Sequence, residues 1–472
     1  MFENIIRRRA GNYPDAVALE TPQAKITYRR FAQDIERVAA HLQQYNPEAG
    51  SVALISDSRP YVHWLLFFAL ERHGCVSVSD DSSGDTARLV QPQLILGETA
   101  DQAHLAPLFV HVTPDWLAAA FAGTGAAPRR ESRGDDVVRI VLSSGTTGTP
   151  KQIALERDHV DAWLMQGLAA PMPFKPRSLA VMGMNTGAYT TALSTWIMGG
   201  TVLYPSGISV AEAMVTLRPN YSVMAPIQLR HIIETLPADF AMRDDLRIVL
   251  SGSATPARLV ELARERLTDD LLFVYAATEV GIVGSGPAKR LSGETGATAF
   301  ISPWAEAEAA GPSGEALPMG ETGRLRVRGP AMARGYLGDS EQGGSRFADG
   351  WFYPGDIGRV HENGLIVIEG REDEVLNLGG EKVSAWAIEE LLLTDPAIKD
   401  SAAFALPDAH GLPRLHAAMV LEGEASAYRV PAKLEQQLPA PITLHPVQHI
   451  PRNPRGKIER QKLIAIIQGS AA

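Results

Sequence analysis

The sequence predicts an α/β protein with a large N-terminal domain and a small C-terminal domain. Strands alternate with helices of about ten to fifteen residues through residues 26–280, a pattern typical of a mostly parallel sheet covered by helices. After Gly281 the strands become short and alternating, with Gly and Asn at their turns, which indicates a small antiparallel or β-barrel-like unit. At 472 residues the chain is too long for one hydrophobic core, so several subdomains are expected.

The first half of the chain carries the clearest alternation of elements. Residues 26–45 place apolar side chains at helical spacing after a short strand, and Ser51–Ser56 has the apolar run of a buried strand. The segment WLLFFAL at Trp64–Leu70 is too short for a membrane span, which needs about 18 apolar residues, so it predicts a buried helix leading into a strand. Several later strands end in small or polar residues, and open α/β sheets bind their ligands at such ends.

The second domain is predicted to follow the segment GREDEVLNLGG at Gly370–Gly380. Beyond this segment the pattern indicates a helix and then a strand, within a compact α+β domain of roughly 100 residues. The predicted domains are therefore residues 1–370, and residues 371–472 as a mobile unit.

Composition and charge exclude several classes of protein. The hydrophobic fraction is 45%, the charged fraction 21% and the net charge −10, which argues against a nucleic-acid partner or a basic membrane-binding surface. Cys75 is the only cysteine, so an internal disulfide and a multi-cysteine metal site are excluded. We expect a cytoplasmic protein without a signal peptide or membrane partner, as a monomer or a homodimer.

The segment SSGTTGTPK at Ser143–Lys151 indicates phosphate binding, because hydroxyls and backbone N–H groups can surround phosphate oxygens and glycines allow close approach. It differs from a Walker loop, since Pro150 precedes the lysine and Gln152 follows it. A polar hairpin turn is the alternative interpretation. The predicted phosphate-binding residues are Ser143, Ser144, Gly145, Thr146, Thr147, Gly148 and Lys151.

Five motifs, taken in order, resemble those of the adenylate-forming (ANL) superfamily, which includes acyl-CoA synthetases, aryl-acid ligases and the adenylation domains of peptide synthetases. The resemblance extends over most of the chain. The motifs are SSGTTGTPK (Ser143–Lys151), YAATE (Tyr275–Glu279), YPGD (Tyr353–Asp356), GREDEVLNLGGEKVS (Gly370–Ser384) and PRNPRGKIERQKL (Pro451–Leu463).

The resemblance implies roles for the YAATE residues. Tyr275 would lie against adenine, Thr278 would contact the α-phosphate, and Glu279 would hold Mg²⁺. Ala276 stands where the family usually has glycine, which leaves the backbone conformation at this point open.

The resemblance also implies a ribose site and a hinge. Asp356 would accept hydrogen bonds from the ribose hydroxyls, as suits an ionised carboxylate, although Pro354 replaces the family's usual threonine. Arg371 would reach the ribose or a phosphate. Asp373 matches the family's hinge residue, and the alternative is a solvated cluster of adjacent acidic residues.

Two further features imply a two-step reaction. Lys457 would stabilise the charge that develops during adenylation, although a surface lysine in a basic tail is the alternative. Gly379 and Gly380 would line the passage for a pantetheine thiol. Because the lysine and the thiol need the same space, the family rotates its C-terminal domain between the two steps.

The acid pocket is expected between the segment after the phosphate loop, the strand SVMAPIQL and the turn SGSATP. Asn185 resembles an asparagine that lies near the ring in aryl-acid ligases, and its alternative role is that of a helix cap. No Asp stands where amino-acid-activating domains bind an α-ammonium group, which argues against an amino acid as the substrate. The chain is short for the family and lacks the insertion of long-chain acyl-AMP ligases, so a small aromatic or short acyl acid is favoured. The predicted pocket residues are Asn185, Tyr189, Ala225, Gln228, Gly252 and Ala277.

The resemblance thus implies an ATP- and Mg²⁺-dependent ligase that makes an acyl-AMP and then transfers the acyl group to a thiol. The acceptor is left open between CoA and an acyl carrier protein. The alternatives are an inactive or regulatory homologue that binds an acid or nucleotide, and a stand-alone amino-acid-activating enzyme.

Overall fold

The structure is a computed structural model, and it describes most of the chain. The described residues are 1–80, 85–127, 129–143, 150–169, 172–184, 186–291, 296–338, 346–378, 381–408, 411–423, 428, 430–452 and 458–469.

The helices of these residues are, in chain order, α1 (Glu3–Asn12), α2 (Tyr28–Leu42), α3 (Pro60–His73), α4 (Asp85–Val90), α5 (Pro114–Ala122), α6 (Arg157–Ala169), α7 (Thr186–Ile197), α8 (Val210–Thr216), α9 (Pro226–Thr235), α10 (Ala257–Arg266), α11 (Ala288–Leu291), α12 (Ala385–Leu393), α13 (Ala432–Glu435) and α14 (Arg460–Ile467). Short 3₁₀ turns lie at Gln43–Tyr45, Ala103–Leu105 and Glu372–Glu374.

The strands are β1 (Val17–Thr21), β2 (Ala24–Thr27), β3 (Val52–Ser56), β4 (Val76–Ser79), β5 (Leu94–Gly97), β6 (Leu108–His111), β7 (Val137–Ser143), β8 (Lys151–Glu156), β9 (Arg177–Ala180), β10 (Thr201–Leu203), β11 (Tyr221–Met224), β12 (Arg247–Leu250), β13 (Asp270–Ala277), β14 (Gly281–Pro287), β15 (Ala297–Ile301), β16 (Glu306–Ala310), β17 (Gly323–Arg328), β18 (Phe347–Ala348), β19 (Trp351–Phe352), β20 (Asp356–Val360), β21 (Leu365–Arg371), β22 (Val375–Leu378), β23 (Glu381–Ser384), β24 (Ile398–Pro407), β25 (Pro413–Leu421) and β26 (Ile442–Pro446).

Two large sheets form the N-terminal part of the fold. One has the strand order β6-β5-β3-β4-β7-β8, and its strands are parallel except for the antiparallel pair β7–β8. The other contains the parallel neighbours β10, β9, β11, β12 and β13. The predicted parallel α/β architecture is confirmed.

A layer of helices joins the two sheets, and α3 is deeply buried within it. Every residue from Val62 to His73 is buried, so this helix is covered on all sides, as its unbroken apolar run predicts. Trp64 of α3 packs against Trp196 of α7 with ring centroids 4.8 Å apart. Its indole nitrogen donates a 2.7 Å hydrogen bond to the hydroxyl of Tyr204, which follows β10. One hydrophobic cluster therefore spans both sheets.

The region after Gly281 is antiparallel, as predicted, but it continues the large sheet. From β13 the sheet passes through β14, β15, β21, β20, β17, β19 and β18 by backbone hydrogen bonds, and β16 pairs with β17. Its hydrophobic residues form a cluster around Leu325, Val327 and Ile366.

After Arg371 the chain forms two small separate sheets, β22-β23 and β24-β25-β26. Helix α12 begins after Ser384, whose hydroxyl accepts a hydrogen bond from the N–H of Ala387 and so caps the helix. This helix packs on β24, and Ile388, Leu392 and Leu415 are central to their shared core. The predicted order of helix and then strand is confirmed.

Within the described ranges, the structure has no helix of the length and hydrophobicity that crossing a membrane requires.

Candidate active site

The candidate site begins where parallel strands of the large sheet end together. The register of β11, β12 and β13 aligns Met224 with Leu250 and Leu250 with Phe273, so the loops that follow these strands leave the sheet on one edge. Ala225 is buried directly after β11, and Gly252 follows β12 with φ +96°, a conformation that favours glycine. Ala277 ends β13, and Thr278 comes next. The fold therefore brings three predicted pocket segments to one edge of the sheet.

A tyrosine, a carboxylate and an arginine form a polar cluster at this edge. The hydroxyl of Tyr275 donates a 2.5 Å hydrogen bond to Asp356 Oδ2. The guanidinium of Arg371 donates to Asp356 Oδ1 at 2.8 Å. Asp356 is buried, so a charge at this position requires such partners. Three residues from β13, β20 and β21, predicted from separate motifs, are thus in direct contact.

The environment of Tyr275 keeps its hydroxyl protonated. Burial and the neighbouring Asp356 carboxylate raise the pKa of Tyr275 well above its ordinary value. The hydroxyl is therefore a donor throughout the neutral range, which matches the carboxylate acceptor opposite it.

Two departures from the family motifs are accommodated by the backbone. At Ala276 the pairing of β13 with β14 shifts register after Tyr275, so an irregularity lies where the family usually has glycine. Ala276 is not among the non-glycine residues with positive φ, so alanine causes no strain of that kind. The second departure is Pro354, which replaces the usual threonine, and its carbonyl accepts a 3.3 Å hydrogen bond from Arg371.

A second cluster joins Glu279 to Lys151 through a tyrosine that sequence reasoning missed. The hydroxyl of Tyr336 donates a 2.9 Å hydrogen bond to Glu279 Oε1, and the Lys151 ammonium lies 4.5 Å from the centre of the Tyr336 ring. Glu279 is only 8% exposed. The aromatic residue after Gly335 in the run ARGYL is the one sequence signal for this contact.

Glu279 is also the residue best suited to Mg²⁺ in this cluster. No group of three or more His, Cys, Asp or Glu residues with metal-site geometry occurs in the part of the chain that the structure describes. Mg²⁺ at nucleotide sites is commonly held by one or two carboxylates together with phosphate oxygens. Tyr336 donates its hydrogen bond to Oε1, and among the described residues no donor contacts Oε2 of Glu279, so this oxygen is the one that could bind an ion, and the residues present fit this mode.

Residues 181–184, which precede α7, form another wall of the candidate site. Gln228 Nε2 donates a 2.7 Å hydrogen bond to the carbonyl of Val181, while Gln228 Oε1 accepts from the N–H of Ala225 at 2.9 Å. Both ends of the Gln228 amide are thereby used within the protein, so Gln228 shapes the pocket by holding its backbone. A small cavity lies beside this segment, and it is lined by Val181, Met182, Gly187, Ala188, Thr191 and Val223 among others.

Tyr189 lies elsewhere, in contrast to its predicted place in the acid pocket. Its ring is buried against α3, stacked on Trp64 at a centroid distance of 6.0 Å and 5.1 Å from the ring of Phe67. Whereas Gly187, Ala188 and Thr191 of α7 line the cavity, Tyr189 projects from the side of the helix that packs into the core.

The predicted hinge joins the large sheet to the C-terminal sheets. Asp373 lies in the 3₁₀ turn Glu372–Glu374 directly after β21, and its carboxylate accepts a 3.0 Å hydrogen bond from Arg371. The neighbouring Glu374 pairs at 3.1 Å with Arg460 of α14. The acidic residues here are therefore paired and do not form a freely solvated cluster.

Several predicted site residues lie outside the described part of the chain. They are Ser144, Gly145, Thr146, Thr147, Gly148, Asn185, Gly379, Gly380 and Lys457. The backbone of Ser143 is described and pairs with Lys151 across β7 and β8.

Comparison with known proteins identifies relatives of this chain. The AMP-binding enzyme family matches residues 6–337. A 3-hydroxybenzoate–CoA ligase from Aromatoleum sp. (strain CIB) is 27% identical over 382 residues, covering 76% of this chain and 70% of the relative. A fatty acid–[acyl-carrier-protein] ligase from Mycobacterium marinum is 24% identical over 539 residues, covering 98% of this chain and 97% of that protein.

A solved structure agrees in fold. The o-succinylbenzoate CoA synthetase of Bacillus subtilis, in complex with its acyl-adenylate intermediate, superposes with a TM-score of 0.83 at 20% identity, covering 98% of this chain and 97% of that one. The family match covers well over half of the sequence and includes four of the clustered residues, Lys151, Tyr275, Glu279 and Tyr336. This chain belongs to the AMP-binding enzyme family.

Proposed function

We propose that this protein activates a small carboxylic acid with ATP and transfers the acyl group to a pantetheine thiol. The observation that carries the proposal is the contact of Asp356 with both Tyr275 and Arg371, at the sheet edge where the predicted acid-binding segments also end. A buried carboxylate held in this way offers charged acceptors to the two hydroxyls of a ribose.

In the first step a carboxylate oxygen of the acid attacks the α-phosphorus of ATP, and the bond to the β-phosphate bridging oxygen breaks to release pyrophosphate. Glu279 would hold Mg²⁺, which neutralises charge on the phosphates when bound. Lys151 and Lys457 would supply further positive charge, and Thr278 would bond the α-phosphate. The product is an acyl-AMP anhydride.

In the second step the sulfur of a pantetheine thiol attacks the acyl carbon and releases its proton to solvent, and AMP leaves with the electron pair of the broken C–O bond. Gly379 and Gly380 would permit the thiol to approach. The chain would turn about Asp373 between the steps, because Lys457 and the thiol require the same space.

The acid is proposed to be a small aromatic or short acyl acid. The segments VMGM, SVMAPIQL and SGSATP contain no Asp or Glu, so they offer no partner for an α-ammonium group. The cavity beside Met182 is small and mainly apolar in its lining residues. The 3-hydroxybenzoate–CoA ligase among the relatives favours an aryl acid and CoA, while the M. marinum relative keeps an acyl carrier protein as the other acceptor.

An ATP–pyrophosphate exchange assay over a panel of aryl, short acyl and amino acids, without any thiol, tests the proposal. We expect exchange with at least one small aryl or acyl acid, and its loss in Asp356→Asn. Exchange with amino acids alone would move the protein to that class. Nucleotide binding without exchange on any acid would identify a binding or regulatory homologue.

A further inference from the structure

Arg139 lies in the middle of β7, in an otherwise apolar run, and its side chain is almost completely buried at 1% exposure. Its guanidinium donates hydrogen bonds to the hydroxyls of Ser77 at 3.2 Å and Ser79 at 2.7 Å, on the neighbouring strand β4. A third bond, of 2.8 Å, reaches the carbonyl of Met184. Arg139 therefore connects the six-stranded sheet with the segment that precedes α7.

Within the described residues this arginine is held without a counter-charge. Among the described residues no carboxylate pairs with it, and burial lowers its pKa to about 10. The ring of Tyr189 lies 4.6 Å from the guanidinium carbon and that of Phe67 lies 5.7 Å away, so aromatic faces offset part of the desolvation cost. An apolar side chain at this position would avoid the desolvation cost. What Arg139 provides and an apolar residue could not is the set of hydrogen bonds.

The segment contacted by Arg139 is fixed at two points by two different elements. Gln228 of α9 holds the carbonyl of Val181 at 2.7 Å, and Arg139 of β7 holds the carbonyl of Met184 at 2.8 Å. Between these points lies Met182, which lines the small cavity together with Gly187 of the following helix. The two hydrogen bonds thus define the course of the cavity wall.

The strand that carries Arg139 also leads into the predicted phosphate loop, because β7 ends at Ser143. This strand therefore connects Ser143, where the predicted phosphate loop begins, with residues 181–184 through the hydrogen bond of Arg139. Adenylation requires the carboxylate and the α-phosphorus to meet at close range, and a misplacement of about 1 Å can cost about a hundredfold in rate.

We propose that Arg139 is a positioning residue for the carboxylic acid, acting through its hydrogen bond to the Met184 carbonyl. It does not touch the acid. It sets the position of residues 181–184 and of the first turn of α7 relative to β7, which ends at Ser143. The expected effect on the KM for the acid rests on the proposed function. The expected effect on the position of residues 181–184 rests on the hydrogen bonds alone.

Arg139→Met and Arg139→Lys test the inference by pyrophosphate exchange with the acid that the wild-type protein prefers. We expect Arg139→Met to raise the KM for the acid about ten- to a hundredfold, the range for losing a charged hydrogen bond, with the KM for ATP changed far less. Arg139→Lys, which can keep one contact, should recover part of the loss. Equal increases in both KM values would overturn the inference.

Arg72→Met is the matched control. Arg72 is also 1% exposed, but it lies in the last turn of α3. It donates hydrogen bonds to Glu36 at 2.8 Å and to the carbonyl of Ala127 at 3.2 Å. This variant should lower thermal stability without a selective effect on the acid. A selective effect in Arg72→Met would show that any disturbance of the core alters the acid KM, and would contradict a specific role for Arg139.

A second measurement does not depend on activity. Hydrogen–deuterium exchange of the backbone amides in residues 181–190 should accelerate in Arg139→Met, while residues 226–235 of α9 should be unchanged. If no acid supports pyrophosphate exchange, the proposed function fails. Hydrogen–deuterium exchange then still tests whether Arg139 positions residues 181–184. Unchanged protection of residues 181–190 in the variant would refute the positioning role.

Discussion

The hydroxyl of Tyr275 donates a 2.5 Å hydrogen bond to Asp356 across a sequence separation of 81 residues. Because Arg371 occupies the other oxygen of the same carboxylate at 2.8 Å, Asp356 is fixed in orientation before any nucleotide arrives. Such preorganisation reduces the ordering cost of binding. The contact therefore links the proposed adenine and ribose positions into one unit.

Tyr275→Phe should raise the KM for ATP about tenfold, because Asp356 loses a hydrogen bond to a charged group while the ring remains. The KM for the acid should stay unchanged. Since the pKa of Tyr275 lies well above its ordinary value, the ratio of wild-type to variant activity should be constant from about pH 6 to about pH 9. A KM for ATP that falls would show that the Tyr275 hydroxyl competes with the ribose.

Lys457→Ala should abolish adenylation and leave thioester formation from supplied acyl-AMP largely intact. The lysine is proposed to act only where charge develops in the first step, and losing one such contact typically costs about a hundredfold or more. The two half-reactions are measured separately, by pyrophosphate exchange and by thiol consumption. Lys462→Ala, in the same basic segment, is the control. Equal losses in both half-reactions would contradict the assigned role.

Asp373→Pro should spare pyrophosphate exchange and block thioester release, because proline fixes φ at the proposed hinge. Asp373→Ala is the matched control, since it also removes the 3.0 Å hydrogen bond from Arg371 but leaves the backbone free to rotate. If both variants lose the second step equally, the side-chain contact matters and not the backbone rotation. Normal turnover of Asp373→Pro would place the hinge elsewhere.

Arg230→Ala should slow pyrophosphate exchange more than thioester formation from supplied acyl-AMP. Arg230 of α9 pairs at 3.1 Å with Asp400 of β24, which also accepts a 2.8 Å hydrogen bond from Arg452. Arg452 also forms a β-bridge with Ile458, the residue after Lys457. The ion pair of Arg230 with Asp400 therefore links α9 to Arg452 and Ile458. A rotation of the C-terminal domain would have to break it.

The expected change for Arg230→Ala is about two- to tenfold, as suits a partly exposed ion pair. Arg258→Ala, which removes an exposed pair with Glu261 on α10, is the control. If Arg230→Ala slows thioester formation and leaves pyrophosphate exchange unchanged, the arrangement that contains the Arg230–Asp400 pair belongs to the second half-reaction.

Much of the fold and of the chemical character of the site could be predicted locally. The apolar run of α3 predicts a buried helix, and the alternation of elements predicts the parallel sheets, because both follow from the periodicity of neighbouring residues. Tyr275, Glu279, Asp356 and Arg371 could be singled out because their short motifs resemble those of the adenylate-forming superfamily. The sheet topology then brings these motifs together.

Other features of the site depend on how distant elements pack, and no local pattern contains them. Tyr189 faces the core because the packing of α7 against α3 sets the rotation of the helix. Tyr336 meets Glu279 across 57 residues, and Arg139 meets the Met184 carbonyl across 45. In the run VVRIVL the sequence determined a strand with one charged residue. Only the tertiary structure decided what that charge contacts, because the partner is a backbone carbonyl, which carries no residue-specific signal and is placed by the packing of two sheets.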